Sequence, residues 1–455
     1  YWADQLTSFM GRLNYSYKDK YLLTASLRSD CSSHLTNKYS TFPSVAVAWN
    51  VAKEKFIQNG SLFSDLKLRA SYGQTGNQAV NPYATIAQIT SGGPAYYFDG
   101  NTPTVTTPLG APVSNSLKWE TTTSVDAGLD ASFLKGRLTF TADVYHKKIS
   151  NLLYNYQAPY YLGGGNYLRN IGGVENQGIE FALGGTPVRG NGINWTTNFT
   201  LSFNKNEVTD LGGLDNVVVN NIGSAQTGVA ILKVGKPLGE FYGYQFLGTW
   251  KTNEAAQAAL YGMKPGDSKY ADLNGDHKYT GDDLTTIGNG TPKYSFGFIN
   301  DVSYGDFTLS VMFQGTHGNS IYSGSIPYTL GGLGDARNAT STAILNVWTP
   351  TNQTDIPAFS NTNQNFINSS RYVYDASYIK MKNVSLSYNL PATMLSKTRL
   401  RKLEVYVSAQ NVFTITNYPG YDPEVSNATN ALTQGLETGV IPNPKTYTIG
   451  FRAGF

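Results

Sequence analysis

A period of two runs through this chain and constrains its fold more than any other feature. In SFMGRLNYSYKDKYLLTASLRSD, Phe9, Leu13, Tyr15 and Tyr17 are apolar or aromatic, with Arg12, Asn14 and Ser16 between them. After Lys18-Asp19-Lys20 the run resumes with Tyr21, Leu23, Ala25 and Leu27 against Thr24, Ser26 and Arg28. Successive strand side chains point to opposite faces, so this is a hairpin with one apolar and one polar face. The same grammar returns at Val45, Val47, Trp49 and Val51, and at Leu66, Leu68, Ala70 and Tyr72. It recurs at Val125, Ala127, Leu129 and Phe133, then beyond LKGR at Leu138, Phe140, Ala142 and Val144. Trp195, Phe199, Leu201 and Phe203 follow, then Tyr294, Phe296 and Phe298, then Phe307, Leu309, Val311 and Phe313.

A soluble sandwich also alternates, so the solvent has to be argued separately. Only 14% of residues are charged, where about 25% is usual for soluble domains. Aromatics reach 13%, and the 32 Tyr nearly equal the 34 Lys and Arg. No run approaches the roughly 18 apolar residues of a membrane helix. Aromatics gather near strand ends, as an interfacial girdle requires. Short turns (KDK, LKGR, VRGNGIN, VGKPLG, YGD) alternate with long loops through 76–117, 148–177, 205–225, 251–292, 314–376 and 413–445. Transmembrane barrels have short periplasmic turns and long outer loops. The fold expected is all-β, an antiparallel transmembrane β-barrel of about fifteen strands. That count takes TGVAILKVGKPLGEFYGYQFLGTW as a wall hairpin around Pro237. An odd number with the last strand running inward makes the chain begin on the outer side, in mid-barrel, like a fragment.

Several stretches, in order from end to end, resemble one family: GRLNYSYKDKYLLTASLRSD, FPSVAVAWNVAKEKF, LKLRASYGQTGNQ, YADLNGDHKYTGDDL with IGNGTPKYSFGF, DASYIKMKNVSLSYNLP, VYVSAQNVFTITNYPGYDPEV and the terminal YTIGF. They resemble the SusC/RagA type of TonB-dependent outer-membrane transporter. The resemblance implies that residues 1–455 are the C-terminal part of a barrel of about 22 strands, roughly seven of them absent, with signal, accessory and plug segments elsewhere. It implies import of an oligosaccharide or peptide beneath a SusD-like surface lipoprotein lid, driven by the TonB–ExbB–ExbD complex through the plug. It also implies residence in outer-membrane lipid and recognition of the terminal Phe455 as an assembly signal. A passive porin and a secreted β-rich adhesin or carbohydrate-binding protein are the rival readings. Long outer loops oppose the first, and detergent dependence would discriminate the second.

One motif carries a definite chemistry. Asp272-Leu-Asn274-Gly-Asp276-His-Lys278-Tyr-Thr280-Gly-Asp-Asp283 spaces oxygen donors as a calcium loop does. Asp272, Asn274 and Asp276 would give side-chain oxygens, Lys278 its carbonyl, Thr280 a hydroxyl or water, and Asp283 the closing carboxylate. His277 in the usual glycine place and an Asp rather than Glu at the end depart from the pattern; the rival is an Asx-rich turn. A structural calcium is thus the only cofactor the sequence suggests, and none is required. Loop aromatics Tyr96, Tyr97, Phe98, Tyr160, Tyr161, Tyr167, Trp348, Tyr418 and Tyr421 are candidates for contact with ligand or lid. Arg12, Arg28, Lys67, Arg69, Glu120, Asp126, Asp130 and Asp143 fall on the polar face as a charge lattice. A net charge of 34 − 31 = +3 gives no nucleic-acid footprint. One Cys and four scattered His leave no thiolate cluster or histidine site. Hydrolase, metalloprotease and P-loop motifs are missing, and the chain reads as a non-enzyme.

Overall fold

The computed structural model describes residues 3–58, 62–87, 95–97, 103–105, 112–157, 165–190, 192–222, 226–329, 341–359, 367–396, 398–425 and 431–455. It divides into two compact units: Tyr1–Ile179 with Asn206–Asp215, and Glu180–Lys205 with Asn216–Phe455.

In the first unit, six long strands pair antiparallel in chain order: β1 (Leu6–Tyr17), β2 (Tyr21–Ser32), β3 (Tyr39–Asn50), β4 (Phe63–Asn77), β5 (Glu120–Phe133) and β6 (Leu138–Ser150). Register sorts their side chains as the alternation requires. Leu13, Ala25, Val45, Tyr72 and Val125 form one cross-strand row, and Arg12, Ser26, Ser44, Gly73, Ser124 and Lys147 form the row on the other face. The apolar row is open: Leu13 is 60% exposed and Val125 49%. A continuous apolar surface of this extent is built for something other than water. The tight turns need left-handed residues, and Lys18, Asp19, Leu134, Lys135 and Gly136 all have positive φ. At the other end of these strands, Leu35, Phe42, Val80, Leu117 and Trp119 form a buried core that seats the loops.

In the second unit, β9 (Tyr294–Tyr304), β10 (Phe307–His317), β11 (Tyr378–Asn389), β12 (Lys402–Thr416) and β13 (Thr446–Gly454) follow one another antiparallel. The strands β7 (Gly173–Gly190) and β8 (Ile193–Asp210) pass through both units, and β8 pairs with β9. Phe199, Phe298, Phe313, Met381 and Phe413 make an apolar row, and Thr200, Gly297, Gln314, Lys380 and Thr414 a polar one.

The described wall has thirteen strands, not about fifteen. The segment expected as a wall hairpin around Pro237 does pair as a hairpin, but in a separate four-stranded sheet of Asn216–Ile222, Gln226–Lys233, Glu240–Tyr244 and Leu284–Asn289, and its end, Phe246–Thr249, pairs with Ser268–Tyr270. The reason is visible in its burial. Val229, Ala230, Ile231 and Leu232 are all buried, so this strand is covered on both faces and does not alternate. The expected loops 205–225 and 251–292 are therefore parts of one large insertion between β8 and β9. VGKPLG, expected as one of the short wall turns, likewise lies within that insertion. The insertion shares a core with neighbouring loops: Val229 and Phe241 pack with Tyr322, Tyr372 and Leu436.

Candidate functional site

Two loop structures in the second unit bring functional side chains together. The first is the acidic turn. Asp272 Oδ1 accepts the Gly275 N–H at 2.7 Å, and its Oδ2 accepts the His277 N–H at 3.0 Å and the Tyr261 hydroxyl at 3.1 Å. Asn274 accepts from Asp276 N, and Asp276 from Lys278 N. Asp283 is fully buried; its two oxygens accept the N–H groups of Leu273 at 2.8 Å and Thr280 at 2.9 Å. His277 has φ +60°, the left-handed conformation that glycine would occupy more easily. Burial acts to raise the Asp272 carboxyl, but the N–H groups of His277 and Gly275 and the Tyr261 hydroxyl outweigh it and hold the group below its ordinary value.

In this geometry the carboxylates expected to hold calcium accept backbone N–H groups. A calcium loop gathers its carboxylate, carbonyl and water oxygens around one point. Among the described residues, no three His, Cys, Asp or Glu side chains come together in that way. Asp283, one carbon shorter than Glu, is consumed in closing the turn on protein donors. The turn rests on an aromatic seat that the spacing did not reveal: Tyr261 stacks on Tyr279 at 5.2 Å, and Tyr279 meets Tyr270 edge-on at 5.3 Å. Tyr244 donates to the Thr280 carbonyl, and burial pushes the Tyr279 hydroxyl up to about 12. The nine-residue spacing of Tyr261, Tyr270 and Tyr279 was the available signal.

The second structure is a buried ion cluster in which NYPGYDPEV meets the polar face of β11. Lys380, 1% exposed, donates to Asp422 at 2.7 Å and also to Glu424. Lys382 reaches Glu424 at 3.0 Å, the Tyr378 hydroxyl donates to it at 3.1 Å, and Gln314 and Asn443 donate to it as well. Two ammonium groups face two carboxylates, so the cluster is neutral. Burial tends to raise the Glu424 carboxyl, but Lys380 and Lys382 overcome it and hold the group low. A bulge in β11 between Met381 and Asn383 falls at Lys382, two positions after Lys380.

The expected aromatic contacts divide. Trp348 is buried, its ring filling the space left by Gly266, where a Cβ would come within 2.6 Å. Tyr418 is buried against Tyr374, Ile321, Ala376 and Val425. Both are loop core rather than contact surface, because their flat faces are spent on packing. Tyr421 is 96% exposed on the turn that Asp422 and Glu424 pin. Tyr96 and Tyr97 lie on a short strand paired with Pro103–Val105, and Tyr160 and Tyr161 lie outside the described residues. In the first unit the charge lattice forms: Arg69 pairs with Asp130 at 2.7 Å and Asp143 at 2.9 Å, and Arg28 with Asp30 at 2.8 Å. Glu120 instead accepts the Leu153 N–H, tying β5 to a loop strand.

An open apolar face, a polar face with paired charges, short left-handed turns and built loops describe a membrane barrel wall. A family model described as "TonB dependent receptor-like, beta-barrel" matches residues 2–412. The chain belongs to the TonB-dependent receptor β-barrel family. TonB-dependent receptor P3 of Formosa agariphila is 37% identical over 464 residues, covering 99% of this chain and 46% of its own length. TonB-dependent receptor SusC of Bacteroides thetaiotaomicron is 29% identical over 470 residues, covering 99% of this chain and 44% of its own. The solved RagAB peptide importer in its closed-closed state gives a TM-score of 0.83 at 26% identity, over 99% of this chain and 48% of that one. This TonB-dependent receptor chain thus spans just under half the length of the curated relatives it matches. The family is of outer-membrane β-barrel receptors and transporters, not enzymes.

Proposed function

We propose that this TonB-dependent receptor chain supplies wall and outer loops to an active importer of a bulky nutrient, an oligosaccharide or a peptide. A SusD-like lipoprotein would close over the loops as a lid. TonB–ExbB–ExbD would drive release through a plug held inside the wall. The observation that carries the reading is the similarity to both SusC and the RagAB peptide importer over 99% of the chain. The built outer loops agree with it. A passive pore has no need of an insertion with its own four-stranded sheet, nor of a loop turn pinned to the wall by a four-charge cluster with Lys380 and Asp422 buried at its centre. Tyr421, held exposed by that pinned turn, is the aromatic best placed to stack on a sugar or peptide.

The test is uptake in cells carrying the full-length receptor. Labelled oligosaccharides and peptides are offered with and without functional TonB. Uptake of one class should disappear when TonB is removed. Uptake that continues at the same rate without TonB would favour the porin reading and overturn this one.

A further inference from the structure

The open apolar face of the first unit is not uniform. Near the short-turn end it carries a groove of about 390 Å³ lined by Tyr15, Leu23, Val47, Trp49, Leu68 and Ala70. At the groove's turn end three rings are stacked across strands: Tyr17 on Tyr21 at 6.5 Å and Tyr21 on Trp49 at 6.3 Å, with planes 25° and 14° apart. One carboxylate holds them. Glu54 Oε1 accepts the Tyr21 hydroxyl at 2.8 Å and the Trp49 indole N–H at 3.3 Å, while Oε2 takes Lys20 at 2.8 Å.

Beyond the rings the charge is positive. Lys18, Lys20, Lys53 and Lys55 stand with Asp19 and Glu54 on the two turns, leaving 4 − 2 = +2. Lys20 is paired with Glu54, and Lys53 lies 3.8 Å from Asp19. Lys18 sits over the Tyr17 ring at 5.1 Å, and neither it nor Lys55 has a carboxylate partner among the described residues. An apolar groove, then amphipathic rings, then unpaired cations is the order of acyl chain, glycerol ester and phosphate along a lipid.

We propose that this surface binds one anionic phospholipid of the periplasmic leaflet. An acyl chain lies in the groove over Ala70 and Val47. The ester region meets the Tyr21 and Trp49 edges, which Glu54 has already oriented. The phosphate and its anionic headgroup meet Lys18 and Lys55. The site belongs to the membrane face and does not depend on what the receptor imports. An uncharged apolar patch would accept any annular lipid; the two uncompensated lysines give this one a preference by headgroup.

Trp49 reports on the groove directly. The full-length receptor is placed in nanodiscs of phosphatidylethanolamine to which lipids with brominated acyl chains are added, as phosphatidylglycerol or as phosphatidylethanolamine. The fluorescence lost between wild type and Trp49→Phe isolates the Trp49 signal. Brominated phosphatidylglycerol should quench it at a lower mole fraction than brominated phosphatidylethanolamine, by about fivefold for each unpaired lysine. Lys18→Asn, which keeps the left-handed turn, and Lys55→Gln should each remove one such factor. Equal quenching by the two lipids, or a preference that persists in the double variant, overturns the proposal.

Discussion

Lys380→Met removes a buried ammonium group from its buried partner Asp422. Its stem is replaced by a side chain of similar length, so the change is mainly one of charge. Asp422 is 6% exposed and would lose the one ammonium paired with it among the described residues, while Glu424 would keep Lys382. Removing one partner of a buried pair costs about 3–5 kcal/mol, because the remaining charge is stranded. At 1.4 kcal/mol per decade, local opening of the turn should become roughly a hundred- to several-thousand-fold more frequent. Backbone amide exchange across 421–425 in the full-length receptor measures that opening. Adding Asp422→Leu removes the stranded charge and should restore most of the protection. The pH dependence has a definite sign. Glu424 is held below its ordinary 4.5, so the stability it contributes is full above that value and is lost as pH falls through the lower folded one. Wild-type loosening should therefore begin only below about pH 4.5. Acceleration below tenfold in the single variant, or a double variant whose effect is simply the sum of two losses, would refute the argument.

Other outcomes follow from the same geometry. Leu129 lies between Leu68 and Ala142 on the apolar face, and Leu129→Arg should cost about 2–4 kcal/mol in unfolding of the receptor from bilayers, whereas Thr200→Arg on the polar face should cost much less. Asp283→Ala strands the Leu273 and Thr280 N–H groups, at about 1–3 kcal/mol each, and should open 272–283 to protease. Digestion of the unmodified turn should be the same in calcium as in chelator; protection by calcium would show that an ion closes it after all. Deleting Phe455, whose ring is 83% exposed, should lower the amount of receptor assembled in the outer membrane, read by fractionation.

The division between what the sequence discloses and what it hides follows interaction range. The wall is written locally. Each hairpin sets its register through a turn such as Lys18-Asp19, and a period of two then sends Leu129 to one face and Asp130 to the other. The loops are written at long range. Glu437 accepts from Ser323 across 114 positions, and Lys380 meets Asp422 across 42, with no periodicity to announce either. Composition cannot separate a ring that packs from a ring that waits for a ligand, so Tyr418 and Tyr421 look alike until one is buried and the other exposed. The run Val229–Leu232 misleads for a related reason: an apolar segment of strand length suits a wall or a loop core, and only cover on both faces decides it. The acidic turn shows the same ambiguity in its chemistry. Carboxylates at calcium spacing also make consecutive Asx turns, and whether lone pairs point to an ion or to backbone N–H groups depends on the last residue's reach. With Asp at 283, they meet the backbone.

The two scales of encoding meet at the polar row of β10 and β11. Gln314 and Lys380 occupy the row that continues through Gly297 to Thr200, so the alternation that keeps lipid off this face also leaves charges on it. A wall alone would expose those charges to water. Here Asp422 and Glu424 take them up, and the cost of burying Lys380 and Asp422 is met by their mutual attraction, while Glu424 gains added donors from Tyr378, Gln314 and Asn443. The loop that follows β12 is thereby fixed to the neighbouring strand β11. On the proposed function, a lid that opens and closes over these loops requires them to keep their geometry through the cycle. The neutral four-charge pin provides that, since moving the turn would leave Lys380 and Asp422, the buried pair at its centre, without partners.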